Sequence, residues 1–340
     1  MKNIKSSPEL KATHSYIHEA FEDLTAPYHR ELLVHCYRIV GSLLDAEDAH
    51  QETLLKAWKG LSSFEDRTSF RAWLYKIATN ACFDLLKKRK RRSLPAQAYP
   101  RADPQLPPGP PPTDASWLEP FPDAQLPLGR NGLEERMVSQ ENVTLAFIAA
   151  LQLLTPRQRA ALILRDVLSF RANETAEVLD LTVPAVNSLL HRARVNLSKD
   201  HDRQDSLQSL PDDLPTQELL DQYKRAWERA DIAGLVALIR EDATFEMPPL
   251  SAWYQGREAI LHFIDSHIFS QVVSGDVRLR SVRANGTPAF AVYEREPHGE
   301  TFAASGIQVL GIDQHTLQIT NIVSFRKAEL VPRFGLPASL

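Results

Sequence analysis

Apolar residues in the first part of the chain recur at helical spacing. Leu32, Leu33, Cys36, Ile39 and Val40 form one row and Ala49, Thr53, Leu54, Ala57, Trp58 and Leu61 another, so residues 12–94 are expected to be a helical module. A second helical pattern covers 140–199. There Leu145, Ile148, Ala149 and Leu151 run up to Thr155-Pro156, an N-cap residue followed by proline at the first helical position. Beyond 215 the period changes. A helix over 217–229 precedes β-branched and aromatic alternation at 243–247, 277–282, 289–294, 307–312 and 318–325, which predicts an α+β domain over 216–332. Residues 95–112 are crowded with proline, which neither continues a helix nor joins a sheet, and 95–139 read as a solvated linker.

Composition sharpens this outline. With 340 residues, 43% of them hydrophobic, the chain can build two or three cores. The net charge of -4 hides an uneven distribution: Lys87 to Arg92 is an unbroken basic run, while Asp45, Glu47, Asp48 and Glu52 crowd together upstream, implying two oppositely charged surfaces. The two cysteines, Cys36 and Cys82, lie in amphipathic runs without metal-ligand spacing, so packed thiols in a reducing compartment are expected, with no metal and no cofactor. No window approaches the roughly 18 apolar residues of a membrane span, and a soluble cytoplasmic protein without a membrane partner is expected.

The chemistry concentrates in two places. Arg171 to Leu179 leads through Asp180-Leu181-Thr182 into a helix over 183–197, a pattern that predicts a helix-turn-helix with Thr182 as cap. Its second helix would present Pro184, Asn187, Ser188, His191, Arg192 and Arg194 to a major groove, with Arg171 opening the first. An ordinary two-helix hairpin would look similar. The run from Phe70 to Arg92 mixes aromatics, which stack on unpaired bases, with cations, which track a nucleic-acid backbone. Trp73 reads there as core, and residues 64–69 read as a polar loop able to cradle an extruded base.

At this point Asp45-Ala46-Glu47-Asp48-Ala49-His50-Gln51-Glu52-Thr53-Leu54-Leu55-Lys56-Ala57-Trp58 and Phe70-Arg71-Ala72-Trp73-Leu74-Tyr75-Lys76-Ile77-Ala78 resemble region two of the extracytoplasmic-function sigma factors of the sigma-70 family. Leu154-Thr155-Pro156-Arg157-Gln158-Arg159 through Arg194 resembles region four. The resemblance implies that Asp48, Gln51, Glu52 and Leu55 dock on the β′ clamp helices of core polymerase and that the second module meets the β flap. It implies that Phe64, Arg67, Ser69, Arg71, Asn80, Lys87, Lys88 and Arg89 open and read the minus-ten element, while the second module reads the minus-thirty-five element. Glu246-Met247-Pro248-Pro249 and Trp253-Tyr254-Gln255-Gly256-Arg257 resemble sigma factors with a SnoaL-like extension, a cone of curved sheet closed by helices, and Trp117 to Asp123 resembles that subgroup's linker signature. Asp180 departs from the family pattern, standing where glycine is usual.

The third domain leaves alternatives. Phe245, Met247, Trp253, Tyr254, His262, Phe290 and Tyr293 are candidates for lining a pocket that holds a small apolar ligand, or for filling a core. Isomerase-like chemistry would need a carboxylate such as Glu246, Asp265 or Glu294 opposite Tyr254 or His262, and no spacing singles out a pair, so no catalytic residue is assigned. Control in cis is the preferred role, with Trp117, Pro120, Phe121, Pro122 and Asp123 as a docking segment and a monomer as the working unit. A free-standing repressor built on the helix-turn-helix is a further alternative, which the aromatic-basic helix argues against.

Overall fold

Gly41 separates the first two helices, and it is needed there twice. Its φ of 72° is left-handed, and a Cβ would stand 2.7 Å from Leu118 of the linker. Before it runs α1 (His29–Val40); after it Ser42 accepts from the Asp45 amide at 3.1 Å to cap α2 (Leu43–Gly60). Ser69 caps α3 (Phe70–Leu86) in the same way. The computed structural model describes residues 20–64, 69–87, 89–127, 143–198, 214–297 and 299–340.

The second module contains α4 (Leu145–Leu151), α5 (Pro156–Leu162), α6 (Ala172–Leu179) and α7 (Val183–Ser198). Thr155 and Gln158 cap each other reciprocally at the start of α5, with Pro156 at its first position. Asp180 ends α6 in the left-handed conformation, φ 52°, and Thr182 accepts from the Ala185 amide to start α7.

The third domain begins with α8 (Leu214–Arg229) and α9 (Ile232–Val236). Its strands are β1 (Ile239–Glu246), β2 (Trp253–Gln255), β3 (Val277–Ala284), β4 (Thr287–Arg295), β5 (Phe302–Asp313) and β6 (Gln318–Phe325), with α10 (Arg257–Phe263) between β2 and β3. They form one sheet in the order β2-β1-β6-β5-β4-β3, in which β1 and β6 are parallel and every other pair is antiparallel. Asn285-Gly286 makes the β3–β4 turn with both φ positive, 55° and 76°.

The two faces of this sheet belong to different cores. Phe245, Tyr254, Leu279, Phe290, Leu310 and Ile322 point into the cone with Tyr223 and Phe263. Ala289, Ala291, Tyr293, Ile307, Val309, Val323 and Phe325 point the other way and join a core continuous with both helical modules. A closing 3-10 turn, Ala328–Phe334, lies against β5, and Leu340 pairs with Phe302. Of the segment expected to be a solvated linker, residues 104–114 are largely exposed as expected, whereas its two described ends, around Leu94 to Ala102 and Trp117 to Leu126, are packed, and 128–139 lie outside the described residues. Ser93 bridges Trp117, Trp253 donates its indole N–H to the Tyr99 carbonyl at 2.8 Å, and the Ala102 amide donates to the Trp253 carbonyl at 3.0 Å. Pro95 is tolerated at the first position of a single helical turn, Pro95–Ala98, and the prolines beyond it hold the chain out of longer elements while leaving rings and free carbonyls able to coat a sheet edge.

Candidate polymerase and promoter interface

Asp48, Gln51, Glu52 and Leu55 are all exposed and lie three, four and seven residues apart on α2, so they share one face; Leu55 is 55% exposed. Their acidic neighbours do not join them. Asp45 is 5% exposed and takes Arg92 on one carboxylate oxygen and Arg89, at 3.2 Å, on the other. Glu47 pairs with Arg333 of the closing 3-10 turn at 3.0 Å. A buried carboxylate is tolerated only when paired, so the acidic cluster divides into an exposed stripe and structural anchors.

The basic run is largely committed. Arg92 donates to Asp45 and to the Trp117 carbonyl, Lys90 pairs with Asp114 at 2.9 Å, and Lys87 pairs with Asp84 at 2.9 Å. Arg89, expected to contact DNA, is held on Asp45. Ser69 serves as the cap of α3, and Phe64 packs on Phe70 and Trp73 with ring centroids 5.6 and 5.1 Å away. Asn80 is exposed. Arg71 is half-buried and already engaged in this conformation: it donates to Glu31 at 3.0 and 3.3 Å and lies 4.6 Å over the ring of Phe170, from the second module. Arg67 and Lys88 lie outside the described residues.

On the helix-turn-helix, Pro184, Asn187, Ser188, His191 and Arg192 are exposed along α7, and Arg171 is exposed at the N-cap of α6. Arg194 is drawn aside into a two-point contact with Asp166, at 2.7 and 3.0 Å, which fixes its guanidinium plane.

The segment from Trp117 to Asp123 is where all parts of the chain meet. Leu118 and Phe121 are fully buried, Trp117 is 6% exposed, and Pro120 and Pro122 are buried between them. Glu119 accepts from Ser42 at 2.6 Å, from the Leu44 amide at 3.3 Å and from Lys327 at 2.7 Å. Burial pushes its carboxyl up, and Lys327, Ser42 and Arg92 more than offset that, leaving it below its ordinary value. Asp123 accepts from the Gly286 amide at 2.8 Å and from Arg283 at 3.3 Å, and here burial wins, leaving the carboxyl raised.

Asn285, at the tip of the β3–β4 hairpin, is fully buried and satisfies its whole amide. Its oxygen accepts from the Phe121 amide at 2.8 Å, and its nitrogen donates to Tyr37 Oη at 2.8 Å and to the Val143 carbonyl at 2.6 Å. One side chain thus touches the first module, the linker and the second module. Tyr37 in turn donates its hydroxyl hydrogen bond to the Glu119 backbone carbonyl at 2.8 Å. Asn285, Glu119 and Lys327 were not among the expected site residues. Asn-Gly between two alternating runs marks a hairpin in the sequence, but nothing local names what its tip touches.

The candidate pocket residues separate. Phe245, Met247, Tyr254 and Phe290 face the cone interior, where Tyr254 stacks on Phe263 at 4.2 Å. Tyr293 faces outward and donates to the Pro337 carbonyl and Trp253 faces the linker, because neighbouring strand residues alternate between faces, while His262 lies on the exposed side of α10. Inside the cone a cavity of about 40 Å³ lies between Trp227, Met247 and Gln308, and a more open one of about 290 Å³ lies outside it, between linker residues such as Tyr99 and Leu106 and the Ser251, Ala252 and Tyr254 edge. Of the three carboxylates considered for catalysis, Glu246 accepts from the Ala96 amide, Glu294 is exposed and bonded to Ser305, and Asp265 is exposed. Among the described residues no group of three or more His, Cys, Asp or Glu could hold a metal ion, and no helix is long and apolar enough to cross a membrane.

His35 in the first core reports on acid stability. Its Nε2 meets Thr79 Oγ1 at 2.9 Å, and because Thr79 donates to the Tyr75 carbonyl, Nε2 must carry the hydrogen and His35 is the donor. Burial, with Arg38 and Arg71 adding to it, pushes its pKa down to about 3. A lowered folded pKa means this group's contribution is complete above its unfolded value of about 6.5 and is lost as pH falls toward 3. Unfolding at pH 5.5 should therefore be easier than at pH 7.5 by about 1 kcal/mol from His35 alone. His35→Gln, compared with the wild-type chain by denaturant titration at both pH values, should lack that increment.

Comparison with known proteins agrees with this arrangement. Sigma-70 region 2 matches residues 24–92, sigma-70 region 4 matches 144–197, and the SnoaL-like domain matches 220–320. The chain is 44% identical over 324 residues to the ECF RNA polymerase sigma factor SigG of Mycobacterium tuberculosis, covering 94% of this chain and 85% of that one. It is 28% identical over 181 residues to the ECF RNA polymerase sigma factor SigW of Bacillus subtilis, covering 53% of this chain and 88% of the relative. The crystal structure of the M. tuberculosis extracytoplasmic function sigma factor SigJ has the same fold, with a TM-score of 0.56 at 20% identity over 93% of this chain and 99% of that one. With two sigma regions in order and a cone domain after them, the chain belongs to the extracytoplasmic-function sigma factors, which bind RNA polymerase core and promoter DNA to start transcription, and it carries a fused SnoaL-like domain.

Proposed function

We propose that the stripe Asp48, Gln51, Glu52 and Leu55 is the docking face for the β′ clamp helices, that the β flap engages the second module, and that the SnoaL-like domain restrains the sigma modules in cis. The observation that carries the restraint is Asn285, whose one amide holds region 2, the linker and region 4 together. Fusion keeps this contact at high effective concentration without a separate inhibitor. Arg71, Asn80 and the 64–69 loop serve the minus-ten element, and Pro184, Asn187, Ser188, His191 and Arg192 serve the minus-thirty-five element, once the modules separate. The cone interior acts as a scaffold: its cavity of about 40 Å³ is far below the roughly 300 Å³ at which ligand pockets begin, and the larger space of about 290 Å³ lies at the linker-covered sheet edge rather than within the cone. Its outer face is covered by the rest of the chain, which supports a monomer that works as one copy per polymerase.

Asp48→Ala combined with Glu52→Ala tests the docking face. Each side chain is exposed, so folding should be untouched, while binding to core polymerase should weaken on the order of tenfold, as for removal of two interface side chains worth roughly 1 kcal/mol each. Unchanged affinity in a fluorescence titration with core enzyme would remove this face from the account.

A further inference from the structure

We propose that the turn of the helix-turn-helix doubles as a clamp on the minus-ten face, so that region 4 and promoter DNA compete for the same cations of region 2. The idea rests on the reading of Arg71 and its neighbours as minus-ten residues. It begins from α6, which is pinned to α3 at both ends. Ahead of its first residue, Phe170 is 3% exposed and packs edge-on against Tyr75 at 5.0 Å, with the Arg71 guanidinium 4.6 Å above its ring. Glu31 gathers the cluster from below, accepting from Arg71 and, at 3.0 Å, from the Tyr75 hydroxyl. Just past the last residue of α6, Asp180 reaches Lys76 Nζ at 2.5 Å.

Asp180 is the informative residue. Its φ of 52° is a conformation that glycine adopts freely and that aspartate and asparagine tolerate best among other residues, so the backbone permits Asp180 but does not require its charge. The side chain supplies a reason for the charge, because it places an anion on Lys76, one of the two cations that region 4 covers on α3. A carboxylate and a phosphate ask the same thing of an ammonium group, and Phe170 occupies the face of Arg71 on which an unpaired base would stack. Since Asp180 also leads into α7, release of Lys76 to DNA frees the recognition helix in the same movement. The pair is exposed on both sides, 38% for Lys76 and 67% for Asp180, so the clamp is weak enough to open on demand.

The test uses the full chain with dyes on cysteines introduced at the exposed Lys59 and Glu177, the native Cys36 and Cys82 being buried. Asp180→Asn keeps a residue suited to positive φ while removing the charge, and Lys76→Gln removes its partner. Each should raise the low-transfer, open fraction roughly two- to fivefold, the range an exposed ion pair supplies, and the double variant should go no further than either single. A short mixed-sequence DNA duplex should open Asp180→Asn at lower concentration than the wild type. Additive single effects, or an unchanged open fraction, overturn the clamp. A fully coupled cycle with no response to duplex overturns the competition with DNA and the minus-ten reading beneath it.

Discussion

Arg159→Ala is expected to lower the melting temperature by about 10 °C. Arg159 is 3% exposed, and among the described residues its charge is held by carbonyls rather than by a paired carboxylate. It donates to the Leu151 carbonyl at 2.8 Å, to Gln152 Oε1 at 2.6 Å and its carbonyl at 3.3 Å, to the Leu154 carbonyl at 3.1 Å, and to the Ile39 carbonyl in region 2. Most of these groups lie at the C-terminal ends of α1 and α4, where unpaired carbonyls carry partial negative charge. Burial lowers the guanidinium pKa only to about 9, so it stays charged at neutral pH. Removing it strands several buried acceptors at once, which costs about 3–5 kcal/mol, or some 2–4 °C per kcal/mol for a chain of this size. Arg159→Lys should rescue little, since three donors on one nitrogen cannot span five directions. A shift below about 2 °C in a calorimetric scan would show that the carbonyl cage is not what joins region 4 to region 2.

The second large effect is expected for Asn285→Ala. Truncation leaves the Phe121 amide and the Val143 carbonyl buried without partners, at about 1–3 kcal/mol each. It also places alanine at φ 55°, adding about 1 kcal/mol. Asn285→Gly separates the two contributions, because glycine accepts the backbone and lacks only the amide. Both variants should lose amide-exchange protection at Phe121, whose N–H the Asn285 side chain holds, while protection inside the cone persists. Uniform loss across the third domain would mean that the hairpin tip supports the cone itself rather than the junction.

Much of the architecture was legible in the sequence for local reasons. Thr155-Pro156 with Gln158, Ser69 before α3 and Thr182 before α7 mark helix starts through groups that bond within three residues. The orientation of the cone residues could also have been read. Trp253 and Tyr254 are adjacent, and Phe290 and Tyr293 are three apart, so strand alternation places each pair on opposite faces, and only one member of each can line the interior. Other features were out of reach because their partners are distant in the chain. Asp45 is buried only because Arg92, 47 residues away, folds back onto it, and Arg71 is covered only because Phe170 arrives from the second module. Proline content over 95–112 predicted a stretch without long elements, which is a statement about hydrogen bonding within that segment and left the turn Pro95–Ala98 unread. The packing of the linker against Trp253, Gly41 and Asn285 depends on the surfaces that other modules supply. The docking segment was visible as aromatic residues in a polar stretch, yet Glu119, its most heavily bonded member, has no distinguishing local signal.

Restraint through the three-way junction is the central claim, and reconstituted transcription tests it most directly. Core polymerase would be combined with the full chain or with Asn285→Ala at a series of enzyme concentrations on the same promoter, with Asn285→Gly to control for the turn. Restraint predicts more transcript from both variants than from the wild type when core enzyme is limiting, converging as core enzyme becomes saturating. Equal output at every concentration, from variants shown to be folded, would contradict it.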